Sequence, residues 1–189
     1  MKNMKTIVKV SLAFAGMFVF SCKNENETSA ETTVTQKTAT AKRATKPLTI
    51  QDETVNAIYP HYLALTTALT EEKVAEAKIV SSNIEAGAAE LKSNQTLKKY
   101  ATQIIAADDI GQQRSAYAKL SDEFIALVKK AGVKNGQLYR NHCPMAFDGK
   151  GASWLSPSKE IRNPYYGEEM LTCGSVEDTI KGTNQRNSF

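Results

Sequence analysis

Between Asp52 and Gly132, apolar residues recur every three or four positions, which is the spacing of one face of an α-helix. Short polar breaks divide this pattern into four stripes. The inward-facing positions that we predict are Val55, Ile58, Tyr62, Leu65 and Leu69, then Val74, Ala77, Ser81, Ile84, Ala88 and Leu91, then Leu97, Ala101 and Ile104, and finally Ile110, Tyr117, Leu120, Phe124, Leu127 and Val128. Four helices joined by tight turns predict an up-and-down bundle.

Polar residues at the ends of the stripes predict where each helix begins. Asp52, Thr70 and Asp108 are placed to cap the helix that follows each of them. Gly132 is expected to end the last helix. Pro60 lies inside the first stripe, where it removes a backbone hydrogen bond and predicts a kink or a restart.

After Gly132 the helical period stops, and turn-forming pairs appear at Asn135-Gly136 and Asn163-Pro164. We therefore predict an all-α fold, in which an up-and-down four-helix bundle is followed by an irregular C-terminal cassette rich in Cys and Met, residues 133–174. Bundle and cassette together form one domain over residues 52–174. The polar segment 175–189 is expected to be a disordered tail.

The N-terminal segment has a basic start followed by an apolar run. Three lysines within the first nine residues precede residues 10–20, a run too short to span a bilayer, which is typical of an export signal. The sequence Val-Phe-Ser-Cys at residues 19–22 resembles a bacterial lipobox. That resemblance implies removal of residues 1–21 and a lipoprotein anchored through acyl chains on Cys22, in the outer membrane and facing the periplasm. An ordinary secretory signal is the alternative.

Residues 22–51 are rich in Thr, Lys, Glu and Ala and have few large apolar side chains. Such a segment buries too little surface to offset its ordering entropy, so we predict a flexible tether. Alternatively, the acidic run at residues 24–27 is a signal that directs the protein to the cell surface. The leader holds three of the 24 basic residues and none of the 20 acidic ones, so the mature net charge is about +1. We predict no nucleic-acid partner, because no basic face remains.

Sulfur-containing residues are concentrated in residues 141–174. Outside the leader, both methionines, Met145 and Met170, lie in this segment together with Cys143 and Cys173. Thiolate and thioether together select soft metals, above all Cu(I), and Ag(I) is similar. The sequence therefore predicts a soft-metal site formed by these four residues. His142 and His61 are further candidate ligands, although a partly buried histidine with a local hydrogen bond explains His61 equally well.

Several segments together resemble one bacterial family. They are Tyr-Leu-x-Leu-x-x-Ala-Leu at 62–69, Arg114 with the helix after it, Cys-Pro-Met at 143–145, Ser-Trp-Leu at 153–155, Ile-Arg-Asn-Pro-Tyr-Tyr-Gly at 161–167 and Met-Leu-Thr-Cys-Gly at 170–174. The family is a domain of unknown function found alone in small exported proteins. It also occurs fused to periplasmic membrane-fusion subunits of heavy-metal RND efflux systems of the copper/silver Cus type.

This resemblance covers about residues 55–174. It implies a helical domain that handles copper or a similar metal in the periplasm, with an efflux membrane-fusion protein as a possible partner. His142 and His61 are not part of the family's pattern. Zinc is a weaker choice of metal, because structural zinc sites use Cys and His without methionine.

Other interpretations of the cassette stay open. In an oxidising compartment Cys143 and Cys173 can form a disulfide that staples the cassette, with Met145 and Met170 filling gaps in the core. The disulfide and the metal site are compatible if redox state controls binding. A third interpretation is an adaptor that docks on an efflux subunit without metal. An enzyme with Cys143 as nucleophile and His142 as base is disfavoured, because sequence neighbours rarely reach that geometry, so we predict no catalytic activity.

Overall fold

The computed structural model describes residues 47–91 and 95–186, which contain both helices and antiparallel strands. The helices are α1 (Glu53–Thr70), α2 (Val74–Ala89), α3 (Gln95–Ala106) and α4 (Ile110–Ala131). The strands are β1 (Thr49–Ile50), β2 (Val133–Asn135), β3 (Gln137–Cys143), β4 (Ala152–Ser156) and β5 (Ser175–Lys181). A 3-10 helix covers Gly167–Met170, and single helical turns cover Ala146–Gly149 and Thr183–Arg186.

The predicted leader, Cys22 and most of the predicted tether lie outside the described residues. In the part that is described, no helix combines the length and the apolar character needed to cross a bilayer.

The four helices bury most of the apolar positions that the sequence predicts to face inward, whereas Val74, Leu91, Ile110 and Leu127 are only partly buried. Tyr62, Leu65 and Leu69 of α1 are fully buried. Each helix packs mainly against the next one along the chain, and α1 also contacts α4. Gly87 lets α2 approach α1 closely, because a Cβ at this position would lie 2.7 Å from Cγ1 of Ile58.

The predicted helix starts are right at one position and displaced at two. Asp52 caps α1, since its Oδ1 accepts a hydrogen bond from the Val55 amide at 2.9 Å. Thr70 does not cap α2; it is the last residue of α1, and its hydroxyl donates to the Thr66 carbonyl at 2.8 Å. The cap of α4 is Asp109 rather than Asp108, with Oδ1 accepting from the Gln112 amide at 2.8 Å.

Pro60 and Gly132 differ in their effect on the helices that contain or precede them. α1 runs without a break through Pro60, so no new helix starts there. Gly132 ends α4, as predicted, with a φ of 81° that favours glycine.

The prediction of an all-α fold is wrong. β3 is the central strand of a three-stranded antiparallel sheet with the order β4-β3-β5, and β1 pairs with β2 in a second, two-stranded sheet. The cassette is therefore not irregular throughout, and the predicted disordered tail does not begin at Ser175, because Ser175–Lys181 forms β5. The strands were missed because β4 is buried on both faces, so its sequence does not alternate between polar and apolar residues.

The two faces of the β3–β4 pair meet different parts of the chain. Side chains alternate between faces along a strand. His142 and Ser153 are paired across the strands and line a cavity with residues of α4, so their face looks towards the helices. Trp154 lies on the opposite face, where Tyr165 packs edge-on against it with ring centroids 5.9 Å apart. Side chains of α4 thus line the His142 side of the pair, and Tyr165, from the segment between β4 and β5, packs on the Trp154 side.

The outer edge of β4 is hydrogen-bonded by side chains instead of another strand. The Leu155 amide donates to the Tyr62 hydroxyl at 3.0 Å. The Ser153 carbonyl accepts from the Ser121 hydroxyl at 2.8 Å and from the Tyr165 hydroxyl at 2.6 Å. These bonds satisfy backbone groups that an edge strand otherwise leaves free, and they tie the sheet to α1 and α4.

Candidate metal centre

The fold brings Cys143 and Cys173 into contact. Cys143 is the last residue of β3, and Cys173 follows the 3-10 helix thirty residues later. Their Sγ atoms are 3.3 Å apart, and both residues are free thiols. Cys143 is fully buried, whereas Cys173 is partly exposed. We call these two residues the dithiol.

The dithiol has electrostatics that suit a bound cation. The hydrogen bond with Cys143 is the main cause that raises the pKa of the Cys173 thiol above its ordinary value. Two thiolates at this separation repel one another, so one of them stays protonated when nothing lies between them. A cation that both sulfurs bind as thiolates would remove that repulsion, and its binding would release the thiol protons.

Asn163 holds the loop that returns Cys173 to β3. It is fully buried, and its Nδ2 donates to the Cys173 carbonyl at 3.0 Å. Its Oδ1 accepts from the Tyr165 amide at 2.8 Å, and its backbone amide donates to the Leu171 carbonyl at 2.8 Å. One side chain thus closes both ends of the loop, which fixes the position of Cys173.

Arg114 attaches the same loop to the helices. Its Nε donates to the Pro164 carbonyl at 2.9 Å, and its Nη2 donates to the Leu69 carbonyl at 3.2 Å and contacts Glu72 Oε1 at 3.1 Å. Gly167 passes so close that a Cβ there would lie 2.7 Å from Arg114 Nη2. The loop is therefore held in place by α4 and by the end of α1.

The two methionines lie next to the dithiol along the chain. Met145 is two residues after Cys143, and its carbonyl accepts a hydrogen bond from the Tyr166 hydroxyl at 2.7 Å. Met170 ends the 3-10 helix, and its carbonyl accepts from the Cys173 amide at 3.0 Å. Met145 is 52% exposed, which contradicts the expectation that it fills a gap in the core.

Neither histidine joins the dithiol. His142 precedes Cys143 on β3, so its side chain lies on the opposite face, where Nδ1 is 3.1 Å from the Ser153 hydroxyl. His61 lies on α1 and is partly buried. Among the described residues no three His, Cys, Asp or Glu side chains are grouped so that they could hold a metal ion. The candidate donors are therefore two thiolates and the thioethers of Met145 and Met170, a poor fit to zinc, which takes four N, S or carboxylate ligands.

Asn141 is a buried polar residue near Cys143 that the sequence alone does not single out. It is fully buried, and neither its Oδ1 nor its Nδ2 has a hydrogen-bond partner within the described residues. It shares a face of β3 with Cys143, two positions away. No sequence signal identifies it, because only the strand places Asn141 on the same face as Cys143.

Aromatic rings enclose the buried side of this region. Trp154 and Tyr165 are both buried, and Phe147 packs edge-on against Tyr165 with ring centroids 5.6 Å apart. Burial raises the pKa of the Tyr165 hydroxyl well above its ordinary value, so this ring stays neutral. Trp154 and Tyr165 belong to the same buried cluster as Cys143, whereas Met145, two residues after Cys143, is exposed.

The chain matches one family model. Residues 58–136 match a family described as "Protein of unknown function (DUF3347)". This match supports the resemblance of that segment to a domain-of-unknown-function family, and it ends before the dithiol. No curated protein and no solved structure matches the chain.

Proposed function

We propose that this chain is an envelope lipoprotein that binds a soft heavy metal, most favourably Cu(I), in copper or silver homeostasis or efflux. The main support is the 3.3 Å contact between Cys143 Sγ and Cys173 Sγ, which allows both sulfurs to bind one ion. The two residues are thirty positions apart, and Asn163 and Arg114 hold the loop that brings them together.

The kind of donor determines which metal is bound. Thiolates supply the negative charge, and the thioethers of Met145 and Met170 stay available at any pH because they do not titrate. This soft set favours Cu(I), and Ag(I) by the same chemistry, over Zn(II). The protein's contribution is to hold Cys143 in a dry interior and to leave Met145 at the surface, where a metal can enter or leave.

The cellular role rests on the sequence. Because residues 19–22 resemble a lipobox, we propose a lipid anchor at Cys22. Residues 22–51 would then be a tether that lets the domain move away from the membrane. We propose an RND efflux membrane-fusion protein as partner, because the chain resembles domains that are fused to Cus-type membrane-fusion subunits. In that role the domain would hand metal to, or receive it from, the efflux system.

A second function is favoured by the same sulfur contact. Two thiols at 3.3 Å are close enough to form a disulfide after small side-chain rotations, in a compartment that permits it. The protein would then be a disulfide-stapled adaptor for an efflux membrane-fusion subunit and would bind no metal.

Cu(I) titration of the reduced protein without oxygen, against a chromophoric competitor, tests the proposal. We expect one Cu(I) per chain and a clear preference over Zn(II). Cys143→Ser and Cys173→Ser should each abolish tight binding. Met145→Leu should weaken binding about tenfold, or about 1.4 kcal/mol, with almost unchanged stability because the side chain is exposed.

His142→Gln is the matched control, because its side chain lies on the opposite face of β3 and should leave Cu(I) affinity unchanged. Fully reduced wild-type protein that takes up no Cu(I) would refute the metal proposal. Native protein without free thiols, in which cysteine substitutions lower only the stability of the oxidised form, would support the adaptor instead.

A further inference from the structure

A cavity of about 350 Å³ lies on the helix-facing side of β3 and β4, against α4. Its polar and aromatic lining comes from Lys119, Asp122, His142, Phe147, Lys150 and Ser153. The volume is within the range of small-molecule sites. Because Cys143 faces the other side of β3, this cavity is separate from the dithiol.

His142 is held through its Nδ1 atom. Nδ1 lies 3.1 Å from the Ser153 hydroxyl oxygen, and Arg140 Nη1 donates to the same oxygen at 3.2 Å. In the tautomer in which Nδ1 accepts the Ser153 hydrogen, Nε2 carries the ring hydrogen and offers an N–H donor to a ligand. Within the described residues, Nε2 makes no hydrogen bond of its own.

The loop beside His142 has an unusual backbone. Phe147 and Asp148 have φ values of 53° and 57°, the left-handed region that is unfavourable for residues with a side chain. A Cβ on Gly151 would lie 2.6 Å from Cε1 and 2.7 Å from Nε2 of His142. The backbone thus fits closely against the imidazole, and strain of this kind concentrates at functional sites.

The charges and apolar surface of the cavity complement an anion with an apolar part. Lys119 and Lys150 supply two positive charges against one carboxyl group, Asp122. The Phe147 ring and the Ala118 and Ala152 methyl groups form an apolar wall.

We propose that this cavity binds a small organic anion, whose carboxylate or phosphate group is held by Lys119, Lys150 and the Nε2–H of His142. The apolar part of the ligand packs against Phe147. The proposal requires no bound metal, because His142 lies on the face of β3 opposite Cys143.

Calorimetric titration of the full chain with sodium acetate, benzoate and inorganic phosphate, at constant ionic strength, tests the site. We expect saturable binding with benzoate tighter than acetate, because its ring packs on Phe147. Tighter binding of phosphate than of acetate would indicate a ligand that carries a phosphate group. Tighter binding of acetate would indicate a ligand that carries a carboxylate group. Binding of phosphate with no gain from the benzoate ring would overturn the apolar part of the proposal.

Substitutions then separate this site from general charge effects. Lys119→Gln and Lys150→Gln should each weaken binding about three- to tenfold, and Asp122→Asn should strengthen it by removing a carboxylate. His142→Leu should weaken anion binding although both lysines, and therefore their positive charges, are still present. Lys130→Gln is the control, because this exposed lysine lies outside the cavity and should have no effect. No saturable binding to the wild type, or equal losses in Lys130→Gln and Lys119→Gln, would overturn the proposal.

Discussion

Tyr62→Phe removes one oxygen atom from the place where the helices meet the sheet. The Tyr62 ring is fully buried and stacks on Phe124 with ring centroids 4.5 Å apart, and phenylalanine keeps this contact. The hydroxyl accepts hydrogen bonds from the Leu155 amide at 3.0 Å and the Tyr117 hydroxyl at 3.1 Å. It also bonds with the Ser121 hydroxyl at 2.7 Å.

The size of the effect follows from which groups lose their partner. Tyr117 keeps its bond with Thr66 at 2.7 Å, and Ser121 keeps its bond to the Ser153 carbonyl. The Leu155 amide is left without an acceptor in the interior. An unsatisfied buried group costs about 1–3 kcal/mol, and each lost bond adds up to about 1 kcal/mol. We therefore expect Tyr62→Phe to lower the free energy of unfolding by about 2–4 kcal/mol.

Urea denaturation followed by circular dichroism measures this loss, with Tyr100→Phe as control. Tyr100 is partly exposed, and its hydroxyl makes no hydrogen bond within the described residues, so the control should change stability by less than about 0.5 kcal/mol. If Tyr62→Phe and Tyr100→Phe have the same small effect, the hydroxyl does not join the sheet to the helices as described.

Three further outcomes can be tested. Gly167→Ala should destabilise more than Gly149→Ala by about 1–2 kcal/mol. Both glycines have positive φ, but a Cβ on Gly167 would lie 2.7 Å from Arg114 Nη2 and from Glu72 Oε1, whereas a Cβ on Gly149 would meet nothing within 4 Å. Equal losses in urea denaturation would contradict the role of Arg114 in holding the loop. Stability should fall above pH 10, because burial raises the pKa of four tyrosines, Tyr59, Tyr62, Tyr117 and Tyr165. The unfolded chain then releases phenolic protons that the folded chain retains, which lowers the free energy of unfolding by up to about 1.4 kcal/mol per tyrosine per pH unit. Constant stability from pH 9 to 11 would refute this prediction. Cys22→Ala should move the protein from the membrane to the soluble fraction without changing its unfolding, because the tether separates anchor and domain, and full-length protein that stays on the membrane would rule out the lipid anchor.

The sequence alone was sufficient for the helices. Their apolar stripes are long, follow the 3.6-residue period and each bury one face, so residues such as Leu65, Ile84 and Leu120 could be assigned to the core without any structure. Helix ends were less certain, because Asp108 and Asp109 are chemically equivalent caps and only the backbone geometry distinguishes them.

The sheet could not be predicted in the same way. β4 is buried on both faces and β3 is largely buried, so the sequence of this pair shows no clean alternation between polar and apolar residues. Their pairing depends on contacts between residues far apart in the chain, such as Leu155 with Tyr62.

The candidate metal centre, too, could be predicted from the sequence only in part. The concentration of Cys143, Met145, Met170 and Cys173 in one short segment was visible in the sequence, and it was enough to suggest soft-metal chemistry. Tertiary structure alone decided that the two sulfurs meet at 3.3 Å and that His142 faces a different cavity. Adjacent residues on a strand point to opposite faces, so His142 and Cys143 face different ways although they are neighbours in the sequence. The chain between Cys143 and Cys173 folds back and brings these two residues, thirty positions apart, into contact.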